Sequence, residues 1–324
     1  MSNSLKVLIT GITGFVGSHM ADYVYEKHQE VEIHGGTRWR SNLQNISHLD
    51  GKIVLHDLEL RDPKSVESVI NEVNPDKIFH FAAQSYVMAS YDAPADTIET
   101  NIIGTLNLLE AIRKSNTDPV IHICSSSEVY GQVLPDEVPI KETNQFRPAS
   151  PYAVSKVGQD RLSYQYFKSY GMKTVISRAF THTGPRRGDV FAESTFAKQI
   201  SEIENGKHEP VVNVGNLDSV RTFLDVRDIV HAYWLLTEKC DYGEAYNIGG
   251  KTTMKVGEML DTLIKMSNKK ISIKQDPKRM RPSDVTLQIP DISKFVSKTK
   301  WEPVISVEKT FKDLLDYWRE QTIH

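Results

Sequence analysis

Through roughly the first 180 residues, short apolar runs alternate with longer amphipathic stretches, a pattern that predicts repeated strand-helix-strand units. The runs Lys6–Thr10, Val31–Gly35, Ile78–Ala82, Val120–Cys124 and Thr174–Ser177 read as buried strands. Helical spacing predicts helices over Gly17–His28, Pro63–Val73, Thr97–Lys114 and Tyr152–Tyr170. The class this implies is α/β, with a Rossmann-type doubly wound parallel sheet. No internal repeat or low-complexity stretch interrupts it.

After about Ala179 the alternation breaks into loops rich in Gly, Pro and Arg, at Thr183–Gly188, Gly215–Arg221 and Lys278–Asp284. They separate shorter elements, which suits a smaller C-terminal α/β substrate domain that covers a ligand. Asp225–Glu238 and Ala245–Gly249 are regular enough to rejoin the sheet. The expected division is residues 1–179 plus about 224–249 for the Rossmann domain, and about 180–223 plus 250–324 for the smaller one.

Composition narrows the partners. Lys and Arg number 39 against 42 Asp and Glu, a formal net charge of -3 with no basic stripe, so small molecules are expected rather than nucleic acid. No stretch approaches about 18 continuous apolar residues, so no membrane span is expected. No charged segment with an apolar run opens the sequence, so a cytoplasmic location is expected rather than a secreted one. Cys124 and Cys240 make no disulfide framework, and the eleven histidines show no ligand spacing, so no metal is expected. Nothing near Cys124 is placed to activate it, and a small apolar role fits it better than a nucleophile's.

The first strand runs into Gly11-Ile12-Thr13-Gly14-Phe15-Val16-Gly17, and a helix follows at once. Glycines there permit a tight turn and let backbone approach a pyrophosphate, which then rests on the helix N-terminus. A nicotinamide dinucleotide is the expected ligand. About 20 residues on, where an NAD enzyme usually places a carboxylate for the ribose 2′-hydroxyl, this chain has Arg38, with Arg40 close by. Positive charge there favours the 2′-phosphate of NADP, with NAD as the alternative. Arg38 as a solvated surface arginine is the plain reading.

Tyr152 and Lys156 lie four apart on a predicted helix and so project from one face. An ammonium beside a phenol favours the phenolate, which then serves as a general base. The serine run Ser125-Ser126-Ser127-Glu128 precedes them, at a strand end where a parallel sheet binds ligands.

With the glycine turn, the run from Ser125 to Gly131 and Ser150-Pro151-Tyr152-Ala153-Val154-Ser155-Lys156, the chain resembles the extended short-chain dehydrogenase/reductase family over nearly its whole length. Gly184-Pro185-Arg186-Arg187-Gly188, Phe196-Ala197-Lys198-Gln199-Ile200, Gly215–Arg221 and Arg281–Val285 are similar to its GDP-mannose 4,6-dehydratase branch. The resemblance implies that Tyr152 and Lys156 act in C4 oxidation of a GDP-sugar, that Ser126 bonds the C4 oxygen, and that Glu128 takes the C5 proton and assists loss of water across C5 and C6. A hydride stored on the cofactor then returns to C6.

It further implies that Lys198, Arg221 and Arg281 hold the GDP, and that Ser85, Thr181, Arg187 and Asp284 contact substrate. His182, Ala82 and Ala83 would border the cofactor, and Asp57-Leu58 would meet its adenine. Simple packing or a loop Asp would explain the last two sets equally. Asn101 would sit near the active site, a solvated helical asparagine being the other reading. The resemblance implies a homodimer or homotetramer built on the helices at 97–114 and 152–170.

Two features depart from the branch. Phe180-Thr181-His182 carries a hydroxyl where the dehydratases have an asparagine amide, and the insertion many of them carry before the Arg-Pro segment is absent. Chain length and Pro151–Lys156 lean towards the similar GDP-4-keto-6-deoxymannose reductases, and both those reductases and UDP-glucuronate decarboxylases carry a similar Ser-Glu-Val-Tyr-Gly run. Another GDP-sugar such as a GDP-heptose, and a non-catalytic dinucleotide sensor on the same fold, stay open.

Overall fold

In a computed structural model that describes residues 4–280 and 285–323, the five predicted runs all pair into one sheet. β1 (Lys6–Thr10), β2 (Glu32–Thr37), β3 (Val54–Asp57), β4 (Lys77–His80), β5 (Val120–Cys124), β6 (Thr174–Ala179) and β10 (Ala245–Ile248) join in the order β10-β6-β5-β4-β1-β2-β3. Every pairing is parallel. β4 and β6 are buried at every position, as inner strands of a parallel sheet are. β3 is an edge strand with only His56 buried, so no apolar run marks it.

Helices cover both faces. α1 (Phe15–Lys27) and α8 (Val226–Lys239) pack on one side around Met20, Val24, Ile229 and Tyr233. On the other, α2 (Pro63–Val73), α5 (Gly104–Lys114) and α6 (Pro151–Tyr170) pack around Val66, Ile70, Leu108 and Tyr166. Local chemistry sets the helix ends. Ser150 Oγ accepts from Ala153 N, Pro151 follows at the first helical position, and Gly171 stops α6 at φ 69°.

The helix predicted over Thr97–Lys114 is three pieces. After the short α3 (Val87–Asp92), α4 (Pro94–Ile98) runs into a π-helical segment, Glu99–Ile103, before α5. Within it Asn101 is fully buried, so the solvated reading of that residue is corrected.

The remaining elements form a smaller unit. β7 (His182–Thr183), β9 (Val220–Asp225), β11 (Thr252–Lys255) and β13 (Leu287–Gln288) make a second sheet, and β8 (Val211–Val214) pairs with β12 (Ser272–Gln275). α7 (Ala192–Glu204), α9 (Val256–Lys265) and α11 (Val307–Gln321) pack together over Phe196, Leu260 and Phe311. α10 (Ser293–Thr299) returns to the first core through Phe295. Among the described residues no helix is long and apolar enough to cross a membrane.

Burial holds four imidazoles neutral: His80 and His122 are pushed down to about 3, and His19 and His182 to about 4. In the unfolded chain each takes a proton near pH 6.5, so stability present above that pH is lost as it falls towards the folded values. The thermal midpoint is expected to be flat above about pH 7 and to drop from about pH 6.5 to 5, with a loss on the order of a few kcal/mol. A midpoint unchanged across that interval would contradict neutral buried imidazoles.

Candidate active site

From β1 the chain turns to β2 and β3 on one side, and β4, β5 and β6 lie on the other. At this reversal the loops beyond the carboxyl ends of β1 and β4 part and leave a crevice. A cleft of about 820 Å³ opens there, between the main sheet and the α7 side of the smaller unit.

The glycine turn forms its floor. Gly11 has φ 71°, and a Cβ on it would lie 2.9 Å from the Cα of Ala82; one on Gly17 would lie 2.2 Å from Gly11 O. α1 starts at Gly14 with no side chain capping it, which leaves the first-turn amides to a ligand. A dinucleotide diphosphate fits this cradle. Thr13, Phe15, Val16, Ala82 and Ala83 also line it.

At the adenine end Arg38 lines the cleft with Thr37, Ser41 and Leu58. Asp57 does not. Strand alternation buries His56 and Leu58 and leaves Asp57 exposed. Glu59, two residues on, does line the cleft. Partial burial works against its ionisation, but hydrogen bonds from Arg61 hold it below the usual range.

β5 delivers the serine run. Ser126 caps a 3₁₀ turn, Ser127–Tyr130, by accepting from Glu128 N at 3.2 Å, and this turn presents Glu128 to the cleft. From α6, Tyr152 and Lys156 line the same space, with Lys156 Nζ 5.7 Å from the phenol ring centroid. Tyr152 is hydrogen-bonded to Ser126. Lys156 Nζ donates to Cys124 O at 2.8 Å.

Electrostatics modify the expected tyrosine–lysine pairing. Burial, then the neighbouring Cys124 and Glu128, raise the Tyr152 pKa, against the Ser126 hydrogen bond and the charge of Arg187, which lower it. Burial lowers that of Lys156. The phenol is therefore protonated in this state, and the cation opposing that is Arg187 on the far wall.

A buried polar chain sets the distance between turn and helix. Thr10 Oγ1 bonds His80 Nδ1 at 2.8 Å, and His80 Nε2 bonds Thr105 Oγ1 at 2.9 Å. Asn101 clamps Gln84 through its N–H at 2.8 Å and its carbonyl at 3.0 Å, and donates to Ser155 Oγ at 2.8 Å. It is absent from the cleft lining and acts on the loop and helix that are not.

The two arginines of the 184–188 loop point different ways. Arg186, at φ 68°, pairs with Asp22 of α1 at 2.7 Å and anchors the loop. Arg187 turns inward, 3.6 Å from the Phe191 ring centroid and 5.0 Å from that of Phe15. Its Nε is buried and finds no hydrogen-bond partner among the described residues, a vacancy suited to a ligand oxygen. Burial lowers its pKa.

Ser85, Thr181, His182 and Arg221 also line the cleft, His182 stacked on Phe15 with 5.9 Å between centroids. Lys198 is off the lining and pairs with Asp189 at 2.6 Å. Arg281 and Asp284 lie outside the described residues. The sequence reading missed Glu59, Asn216, Ser219 and Glu193, all on the lining. Polar residues in Gly215–Arg221 were the available signal for Asn216 and Ser219; only an acid in the first turn of α7 marked Glu193.

The comparisons with known proteins agree with this architecture. The family model described as GDP-mannose 4,6 dehydratase matches residues 8–314. The chain is 31% identical to the GDP-6-deoxy-D-mannose reductase of Pseudomonas aeruginosa, covering 98% of each. It is also 31% identical to the GDP-mannose 4,6-dehydratase of Yersinia enterocolitica, covering 96% of this chain and 92% of that one. Among solved structures, the RMD protein of P. aeruginosa complexed with NADPH superposes with a TM-score of 0.86 at 29% identity, covering 98% of this chain and all (100%) of that one. The UDP-glucose 4-epimerase of Thermotoga maritima with UDP-glucose gives 0.86 at 27%, covering 98% and 99%.

The Gly17 contact yields a sharp expectation. Gly17→Ala forces a Cβ onto Gly11 O and is expected to weaken NADP and NAD binding at least about tenfold, with the circular dichroism of the fold kept. Unchanged affinity in a fluorescence titration would show that the turn does not hold the dinucleotide.

Proposed function

The chain belongs to the GDP-mannose 4,6-dehydratase family, and from that premise we propose that it converts a GDP-hexose, GDP-mannose first, to the GDP-4-keto-6-deoxyhexose. The observation that carries this is Glu128 in one cleft with Ser126, Tyr152 and Lys156, facing the glycine turn. A base at C5 is needed for elimination and not for hydride transfer at C4 alone.

Bound dinucleotide supplies the hydride acceptor for C4 and the donor for C6. Tyr152 takes the O4 proton as the C4 carbonyl forms, with Ser126 bonded to that oxygen. Arg187 eases the transfer by lowering the phenol's pKa, and the Lys156 ammonium lies 5.7 Å from the ring centroid. The C5 proton, acidified by the neighbouring ketone, passes to Glu128, which gives it to the departing C6 hydroxyl so that water leaves. With hydride returned to C6, the proton that Tyr152 took from O4 goes to C5 and completes the product.

We read the cofactor as NADP, because Arg38 and Ser41 border the adenine end and no carboxylate follows β2. Arg221, Asn216 and Ser219 would receive the GDP half, and the α7 side would be the substrate domain. Ile103, Val154 and Tyr164, exposed at 41%, 45% and 40% on the α5 and α6 side, suit a self-association face. The unpaired cysteines accord with a reducing compartment.

The second reading is the reductase, favoured by the P. aeruginosa relative of that name, whose length the chain matches. It would consume reduced cofactor in proportion to product.

Incubation with GDP-mannose is expected to give a 4-keto product with no net change in cofactor absorbance; absence of product would sink the dehydratase reading, and stoichiometric oxidation of NADPH on a 4-keto substrate would replace it. Glu128→Gln is expected to lower kcat by about 10² to 10⁴, while exchange of the C4 hydrogen persists in single turnover. For cofactor choice, Arg38→Ala is expected to weaken NADP by about tenfold or more and NAD little, and equal losses would reject the 2′-phosphate contact.

A further inference from the structure

On the α7 wall, Glu193 is only 7% exposed yet lines the cleft. Among the described residues, neither a hydrogen-bond donor nor an ion-pair partner within 4.0 Å meets its carboxyl group. Phe191, packed edge-on against Tyr86 at 6.0 Å, screens the position. The residue is buried, but its carboxylate oxygens reach the cleft space, where a ligand's donors can meet them.

Glu193 follows Phe191 by two residues, and Arg187 lies 3.6 Å from the Phe191 ring centroid and lines the cleft with Tyr152, which puts Glu193 towards the reacting end. A diphosphate offers only acceptors and negative charge and is excluded as its partner. The guanine and ribose donors belong to the nucleotide half, assigned above to Arg221, Asn216 and Ser219, so the hydroxyls of the hexose are the donors left for this end. In a hexose joined through C1 to a diphosphate, the hydroxyls at C4 and C6 are consumed by the chemistry and O5 closes the ring. Only those at C2 and C3 are left to donate.

We infer that Glu193 is a specificity residue for the sugar, accepting hydrogen bonds from the C2 and C3 hydroxyls and so setting the ring's rotation over Tyr152 and Glu128. This rests on the dehydratase reading above. It assigns the residue a contact with a neutral diol, and requires it to be indifferent to the nucleotide.

The test compares the full-length, NADP-loaded wild type with Glu193→Gln, measuring KM for GDP-mannose, the inhibition constant of GDP, and turnover of GDP-2-deoxymannose and GDP-3-deoxymannose. The variant is expected to raise KM about 10- to 100-fold with GDP inhibition unchanged, since a hydrogen bond to a charged group is lost. At least one deoxy sugar is expected to lose the same factor on the wild type and nothing further on the variant. An unchanged KM, or parallel losses for GDP and GDP-mannose, would overturn the inference and leave the dehydratase reading standing. Should the variant not fold, wild type that handles both deoxy sugars as well as GDP-mannose overturns it equally. Wild type making no 4-keto product from GDP-mannose defeats the dehydratase reading first, and this inference with it.

Discussion

The carbonyl oxygen of Gly11 lies so close to Gly17 that a Cβ there would come within 2.2 Å of it, and Ala82 crowds Gly11 from the other side at 2.9 Å. These contacts bring the ends of β1 and β4 and the first turn of α1 to one point, where backbone rather than side chains forms the floor of the cleft. Thr10 then fixes the neighbouring loop by accepting from Ala82 N at 3.2 Å, and His80, Thr105 and Asn101 extend the link to α6. The position of Tyr152 relative to the glycine turn is thus written into a dry hydrogen-bonded chain, whose members have no solvent alternative.

Across the cleft the arrangement is electrostatic. Arg186 secures its loop to α1 through Asp22, and this frees the adjacent Arg187 to face inward between two phenylalanines. One cation therefore acts on groups from three separate elements: Tyr152 of α6, Glu193 of α7 and Tyr233 of α8. Lys156, one turn from the phenol, is occupied by the Cys124 carbonyl.

The sequence made the main sheet legible wherever burial is two-sided. Lys6–Thr10 and Val120–Cys124 match their strands end to end, as Pro63–Val73 matches its capped helix. It failed where structure depends on partners far away in the chain. The π segment around Asn101 exists because that side chain must reach Gln84 and Ser155, which helical periodicity does not encode. The motif residues Ser126, Glu128, Tyr152 and Lys156 share one cleft because strand and helix ends dictate it. Asp57 and Lys198 came from the family resemblance; alternation leaves the first exposed, and an ion pair with Asp189 holds the second.

β6 is buried at all six positions, yet β10, the neighbour on its outer edge, begins only at Ala245, some 65 residues further along. At roughly 5–20 residues per second of synthesis, that edge stands open for about 3–13 s on a growing chain. An apolar strand with unpaired amides is a template for any other strand that meets it first. Of all segments in the protein, the stretch ending at Ala179 is where a nascent chain most depends on shielding before its own later strand arrives.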